Sequence, residues 1–115
     1  MTALSVSRAM LAVSQRVVME RDNGCCVVCG EAMQQIHHRR PRGMGGSSNN
    51  LVINMAGNLI AVCNADHAWI ESNRDRARDN GWLIPQAVIP VTVPLWWFGR
   101  FVLLDNDGRY EVTTP

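Results

Sequence analysis

The chain has 115 residues, 47% of them hydrophobic and 18% charged, and all eleven cations behind its net charge of +1 are arginine. That length suits one domain with at most an extension, and the near-neutral balance confines basic character to local runs. No run approaches a membrane-spanning helix, and Gln15 and Arg16 cut the apolar stretch from Ala9 to Val13 too short for a signal-peptide core. An intracellular, reducing compartment is therefore expected, where four cysteines point to metal rather than to disulfides. A chain this short buries only a modest core, so a structural metal would be a useful staple.

In chain order, Ser5 to Arg21 is predicted to be a helix. Val6, Met10, Val13 and Val17 form one apolar face, and Ser5 is its expected N-cap. Asp22-Asn23-Gly24 ends it in a turn. Cys26 and Cys29 then make a C-x2-C pair, the spacing of a zinc knuckle, with Gly30 letting the backbone turn beneath an ion. Cys25 is read as a bystander.

Gln34 to Arg40 is the predicted strand that carries His37 and His38, and Pro41 ends it. Gly43, Gly45 and Gly46 with Ser47 and Ser48 form a loop without the strand context or lysine of a phosphate-binding P-loop. Asn49 to Gly57 favours turns. Leu59 to Val62 suits a second strand, and Asn64 to Asn80 a second helix, capped by Asn64 and closed by Gly81. Ala65, Trp69 and Ala77 lie on its apolar side; Arg74, Asp75, Arg76 and Arg78 form a solvated or nucleic-acid-facing surface. Beyond Gly81, prolines 85, 90 and 94 punctuate an apolar stretch that leads into Leu95-Trp96-Trp97-Phe98. Arg100 to Leu104 and Arg109 to Thr113 follow as two strands of a hairpin, turned by Asp105-Asn106-Asp107-Gly108.

The chemistry concentrates in His37-His38-Arg39-Arg40-Pro41-Arg42-Gly43, with no acid anywhere between Ala32 and Ala65. Side chains alternate along an extended segment, so one imidazole can face a metal while the other faces a water. Neutral imidazole serves either as ligand or as general base. The arginines offer forked donors suited to phosphate oxygens. Taken alone, the run fits a solvated loop equally well; its place between two cysteine-bearing segments is what lends it weight.

In order, Cys26-x2-Cys29, His37-His38, Asn58, Cys63 and His67 resemble the HNH endonucleases, in particular the small HNH proteins of bacteriophages. The resemblance spans about Arg16 to Trp82 and rests on Arg21-Asp22, His37 through Gly46, Asn58-Leu59 ahead of Cys63, and Gly81-Trp82. It implies a small ββα-metal core, which with the zinc knuckle, the predicted N-terminal helix and the C-terminal β-hairpin extension makes the expected fold α+β. Residues 1–84 would be the nuclease domain with its packing helix, and residues 85–115 a proline-punctuated, β-rich extension. It also implies that His38 is the general base, that His37 and His67 hold one catalytic divalent cation, Mg²⁺ or Mn²⁺, and that Asn58 holds the loop so that the base points correctly. Asn54 is a weaker candidate for that last role. Arg39, Arg40 and Arg42 would contact DNA phosphates. The implied activity is metal-dependent hydrolysis of double-stranded DNA in the cytoplasm of the host cell, with the phage terminase as an implied partner in genome packaging.

The sequence departs from the family's paired knuckle by placing Asp66 where a fourth cysteine belongs. Three outcomes stand open: Cys26, Cys29, Cys63 and Asp66 share a structural Zn²⁺, His67 turns to the zinc instead, or the zinc site is weak or absent. Glu71, four residues after His67, either ligates or positions the catalytic metal or is an exposed helix glutamate. The competing function is a non-catalytic, zinc-stabilised DNA-binding module, which would not need His38, Asn58 and His67 together.

Overall fold

The computed structural model describes residues 3–41 and 51–113, with side chains from Arg8 onward. Its first element, α1 (Ala3–Arg21), begins ahead of the cap expected at Ser5. The face it buries also differs from the expected one. Val13 is 55% exposed, while Ser14 and Val18 are buried and half-buried Leu11 and Val17 pack beside Val18 on Ala56 and Leu59. The rotation of α1 is set at its C-terminal end. Asp22 is fully buried, and its carboxylate accepts from the Arg21 guanidinium twice, from Nε1 of Trp97 and from the backbone N–H of Ala61. Hydrogen bonds to a charged group contribute ~1.5–3 kcal/mol each, and burying one valine about as much, so this carboxylate outweighs the exposure of Val13. Asn23 and Gly24, both at positive φ (56° and 66°), then turn the chain as expected.

Two short strands follow, β1 (Gln35–His38) and β2 (Leu59–Val62), paired antiparallel with His37 opposite Ile60 and His38 opposite Leu59. β1 stops earlier than predicted because the side chain of Asn58 captures the backbone of Arg40. Its Oδ1 accepts from Arg40 N–H (2.7 Å), and its Nδ2 donates to the carbonyls of Arg40 and Ile53. Two 3₁₀ turns, Leu51–Asn54 and Ala56–Asn58, lead into β2.

The long helix predicted from Asn64 to Asn80 is two helices, α2 (Asn64–Ser72) and α3 (Arg74–Asp79). Asn73 breaks it: at φ −128° and ψ 56°, its backbone and side-chain N–H groups both donate to the Trp69 carbonyl. Asparagine offers the backbone such local alternatives, which is why it disfavours helix interiors. The N-cap of α2 is Cys63 rather than Asn64, its Sγ accepting from Asp66 N–H at 3.4 Å. Gly81 closes α3 at φ 74°, where a Cβ would strike the backbone of Pro94 and Leu95, so the turn needs glycine for both reasons.

The C-terminal segment forms a three-stranded antiparallel sheet, β3 (Leu95–Trp97), β4 (Arg100–Leu104) and β5 (Tyr110–Val112), in that order. The first strand was not expected; Phe98 and Gly99, both at positive φ (48° and 86°), make the two-residue turn that pairs it with β4. The predicted Asp105–Gly108 turn joins β4 to β5, with Asp105 Oδ1 accepting from the N–H groups of Asp107 and Arg109. The sheet does not stand apart from the rest: Leu95, Trp97, Val102 and Leu104 share one buried cluster with Cys26, Val27, Ile60, Val62, Ile70 and Trp82. Residues on both sides of the expected division at residues 84 and 85 thus contribute to that cluster. Among the described residues no helix is long and apolar enough to cross a membrane.

Arg39 locks these parts together. It is completely buried, and its guanidinium donates to the carbonyls of Gly81 (2.8 Å), Gly57 (2.8 Å), Val93 (2.8 Å) and Pro90 (3.3 Å). Burial, with a smaller push from Arg21, pulls its pKa down to about 9, so it remains charged at neutral pH. The Arg39→Met variant should lose roughly 3–5 kcal/mol in urea unfolding, because several buried carbonyls lose their donor. Arg39→Lys should recover little of it, since one ammonium cannot span four acceptors on three segments. A loss below 1 kcal/mol for both would show that the buried guanidinium does not hold the fold.

Candidate metal centres

Two clusters of ligand-bearing side chains meet at the start of α2. In the first, one ligand atom each from Cys26, Cys29, Cys63 and Asp66 lie within 4.8 Å of one another. Cys26 and Cys29 come from the knuckle turn, Cys63 from the end of β2 and Asp66 from the first turn of α2. Cys29 and Cys63 sulfurs are 3.8 Å apart, and Asp66 Oδ2 lies 3.2 Å and 3.3 Å from the sulfurs of Cys26 and Cys63. Two thiolates on a tetrahedral zinc at the usual bond length stand about 3.8 Å apart, so the cluster has the dimensions of a structural metal site. Cys25 turns away to the Asn23 carbonyl, the bystander it was expected to be.

Without a cation this set is held by protons. Burial would raise the Asp66 carboxyl, but hydrogen bonds from the thiols of Cys29, Cys26 and Cys63 outweigh it and keep its pKa below the ordinary value. In return the carboxylate pushes Cys29 up to about 12, and burial raises Cys26. A divalent cation reverses this, since a coordinating thiol is deprotonated outright.

The second cluster is His37, His67 and Glu71, whose ligand atoms also lie within 4.8 Å of one another. His37 is 3% exposed and its Nε2 sits 2.7 Å from the Trp82 carbonyl. A carbonyl only accepts, so Nε2 carries the proton and Nδ1 the lone pair, the arrangement typical of a metal-ligating histidine. Burial depresses its pKa to about 4, so the ring is neutral at pH 7. The His67 ring lies 5.2 Å away, edge-on, and Nε2 of His67 is 3.9 Å from Glu71 Oε1. These two are part-exposed, which leaves them room to close on an ion. Glu71, left open between ligand and exposed glutamate by the sequence, is thus brought into the cluster; its spacing of four from His67 was the available signal.

His38 points the other way along β1 and its Nε2 meets Oδ1 of Asn54 at 3.1 Å. The amide oxygen makes Nε2 the donor, so the basic nitrogen is Nδ1. Asn58 instead fixes the backbone just beyond, so the two asparagines divide the tasks of aiming the ring and holding its loop. His37, His38, His67, Glu71, Pro41 and Arg74 line one open cleft of about 330 Å³.

The expected phosphate contacts fare differently. Arg39 is not available to DNA, because alternation along β1 places it on the buried face with His37. Arg40 is half-buried, with a buried Nε that has no partner among the described residues. Arg42 and the glycine-serine loop lie outside the described residues.

Protein purified without added metal should carry about one divalent metal ion per chain, and Cys29→Ala should remove it with a loss on the order of several kcal/mol. Metal uptake by the cysteine cluster at pH 7 should release at least two protons, weakening affinity by about 100-fold or more for each unit the pH falls. Titration calorimetry in buffers of different ionisation enthalpy measures that release, and none would rule out thiol ligation.

His37 adds a pH dependence of its own. Its folded pKa of about 4 lies below the ordinary 6.5, so the unfolded chain binds the extra proton and stability drops as pH falls through that window. The full drop is about 3 kcal/mol. Urea unfolding at pH 7 and pH 4.5 should show a steeper loss for wild type than for His37→Gln. Parallel losses would refute the buried neutral imidazole.

No family model, curated protein or solved structure matches this chain, so both clusters stand on their own geometry and chemistry.

Proposed function

We propose that this chain is a metal-dependent endonuclease of the HNH kind that hydrolyses DNA phosphodiester bonds. The observation that carries the reading is the single open cleft that joins a cluster of two imidazoles and a carboxylate to a separate imidazole, His38, whose ring is aimed by Asn54. The order β1, β2, α2 along the chain, with His37 on the first strand and His67 in the first turn of the helix both lining that cleft, is what the ββα-metal resemblance leads one to expect. Structural metal modules that only bind DNA have no use for such a second cluster.

Hydrolysis of a phosphodiester needs an activated water, compensation of charge on the phosphoryl oxygens, and help for the leaving 3′ oxygen. His38 Nδ1 takes the proton of the attacking water, with Nε2–H fixed on Asn54. Neutral His37, with His67 and Glu71, would hold a divalent cation, Mg²⁺ or Mn²⁺, which would supply Lewis-acid stabilisation of the phosphoryl and leaving oxygens. Two imidazoles and one carboxylate favour the transition metals over Mg²⁺. Cys26, Cys29, Cys63 and Asp66 would bind Zn²⁺ in a purely structural role.

Wild-type protein should nick supercoiled plasmid when Mn²⁺ is supplied and stop when it is chelated. His38→Ala should keep its Mn²⁺ and DNA affinity yet lose about 10²–10⁴-fold in rate, the usual worth of a general base. His67→Ala should weaken Mn²⁺ binding, so that raising the metal recovers part of the activity. Equal cleavage by His38→Ala and wild type would sink the assignment of the base. Salt-sensitive DNA binding without any cleavage would replace the enzyme by the zinc-stabilised binding module.

A further inference from the structure

Of the three arginines beside the histidines, Arg39 is sealed in the core and Arg40 is half-buried, so the described part of that run supplies little open cationic surface to the cleft. A cation does reach it from the opposite wall. Arg74 lies at the first position of α3, immediately after the Asn73 break, and lines the cleft with His37, His38, His67 and Glu71. His67, Glu71 and Arg74 are spaced i, i+4 and i+7, and the side chain of Arg74 is 44% exposed. Its Nη1 rests 2.9 Å from Glu71 Oε2, the carboxylate of the second metal cluster.

We propose that Arg74 is a substrate-binding catalytic residue, which holds a non-bridging oxygen of the scissile DNA phosphate beside the cation; this rests on the nuclease reading above. Two neutral imidazoles and one carboxylate leave a bound dication with a surplus charge of about +1. Once Glu71 turns to the ion, its charge is no longer there to neutralise Arg74. Two positive centres then face one cleft and require an anion between them. A phosphodiester meets that requirement, and the growing charge of its pentacovalent transition state meets it better. A guanidinium has five donors, so binding one carboxylate oxygen leaves an edge for forked contact with phosphate.

The competing role for Arg74 is that of a surface partner which only steadies Glu71, and the measurements separate the two. Plasmid cleavage is followed in saturating Mn²⁺ for wild type, Arg74→Ala and Arg74→Lys, with Mn²⁺ affinity measured directly for each. DNA affinity against salt is measured for the same changes in the His38→Ala background. Arg74→Ala should cleave about 10²-fold more slowly with Mn²⁺ affinity unchanged, its log–log salt slope should flatten by about one, and Arg74→Lys should recover part of both. Cleavage at the wild-type rate, or a loss that extra Mn²⁺ restores, overturns the proposal. If wild type binds DNA but cleaves nothing, the nuclease reading fails by itself. The catalytic role then falls with it, and an unchanged salt slope removes the phosphate contact as well. If wild type binds no DNA, both fall.

Discussion

A buried guanidinium without a carboxylate partner is the constraint on which the geometry around the cleft depends. Among the described residues Arg39 meets only carbonyl dipoles, and the four belong to the turn before β2, the turn after α3 and the 3₁₀ segment Pro90–Thr92 with its flank. Taking a charge out of water costs several kcal/mol, so the arrangement is stable only if all the acceptors arrive together. That requirement ties the end of β1 to the last third of the chain. It fixes Gly57 and Gly81, the residues next to Asn58 and Trp82. Through Trp82, whose carbonyl receives His37 and whose indole donates to the Trp96 carbonyl, the same tie reaches the second metal cluster and β3.

The first turn of α2 couples the two clusters in turn. Cys63 caps the helix with its sulfur, Asp66 returns to the cysteines, and the very next residue, His67, projects into the cleft. Successive residues on a helix diverge by about 100°, so one turn can serve two sites on different sides. Whatever holds Cys63 and Asp66 thereby sets the angle at which His67 meets His37. A metal on the cysteines would act on the cleft by this route although none of its ligands lines it.

Much of this was legible in the sequence, for identifiable reasons. The C-x2-C spacing, the alternation of His37 and His38 and the turn chemistry of Asp105–Gly108 are local signals, and each has its expected local structure. What could not be read depends on contacts distant in sequence. The rotation of α1 is decided by the indole of Trp97 reaching Asp22, a partner 75 residues away. β3 was missed because its turn puts Phe98 at positive φ, a conformation that bulky side chains rarely adopt. Arg39 was misjudged for a different reason. Three arginines in one run look alike, yet alternation already placed Arg39 on the same face as His37, and a buried His37 implied a buried Arg39.

The aspartate in the cysteine cluster bears on how that site survives without an ion. Thiols are weak donors to one another, and a set of four would have little to hold it together before metal arrives. Asp66 gives these thiols a charged acceptor, drawing Cys26 and Cys63 to within 3.3 Å of one oxygen while its own backbone N–H caps α2 on the Cys63 sulfur. The ligands are thereby gathered in advance, at the expense of firmly held thiol protons that the metal must displace. The net ligand charge, with three thiolates and one carboxylate, equals that of four thiolates. An aspartate in this place would therefore match the electrostatics of four thiolates around a bound ion and differ chiefly without one, where it keeps the first turn of α2, and with it His67, in place.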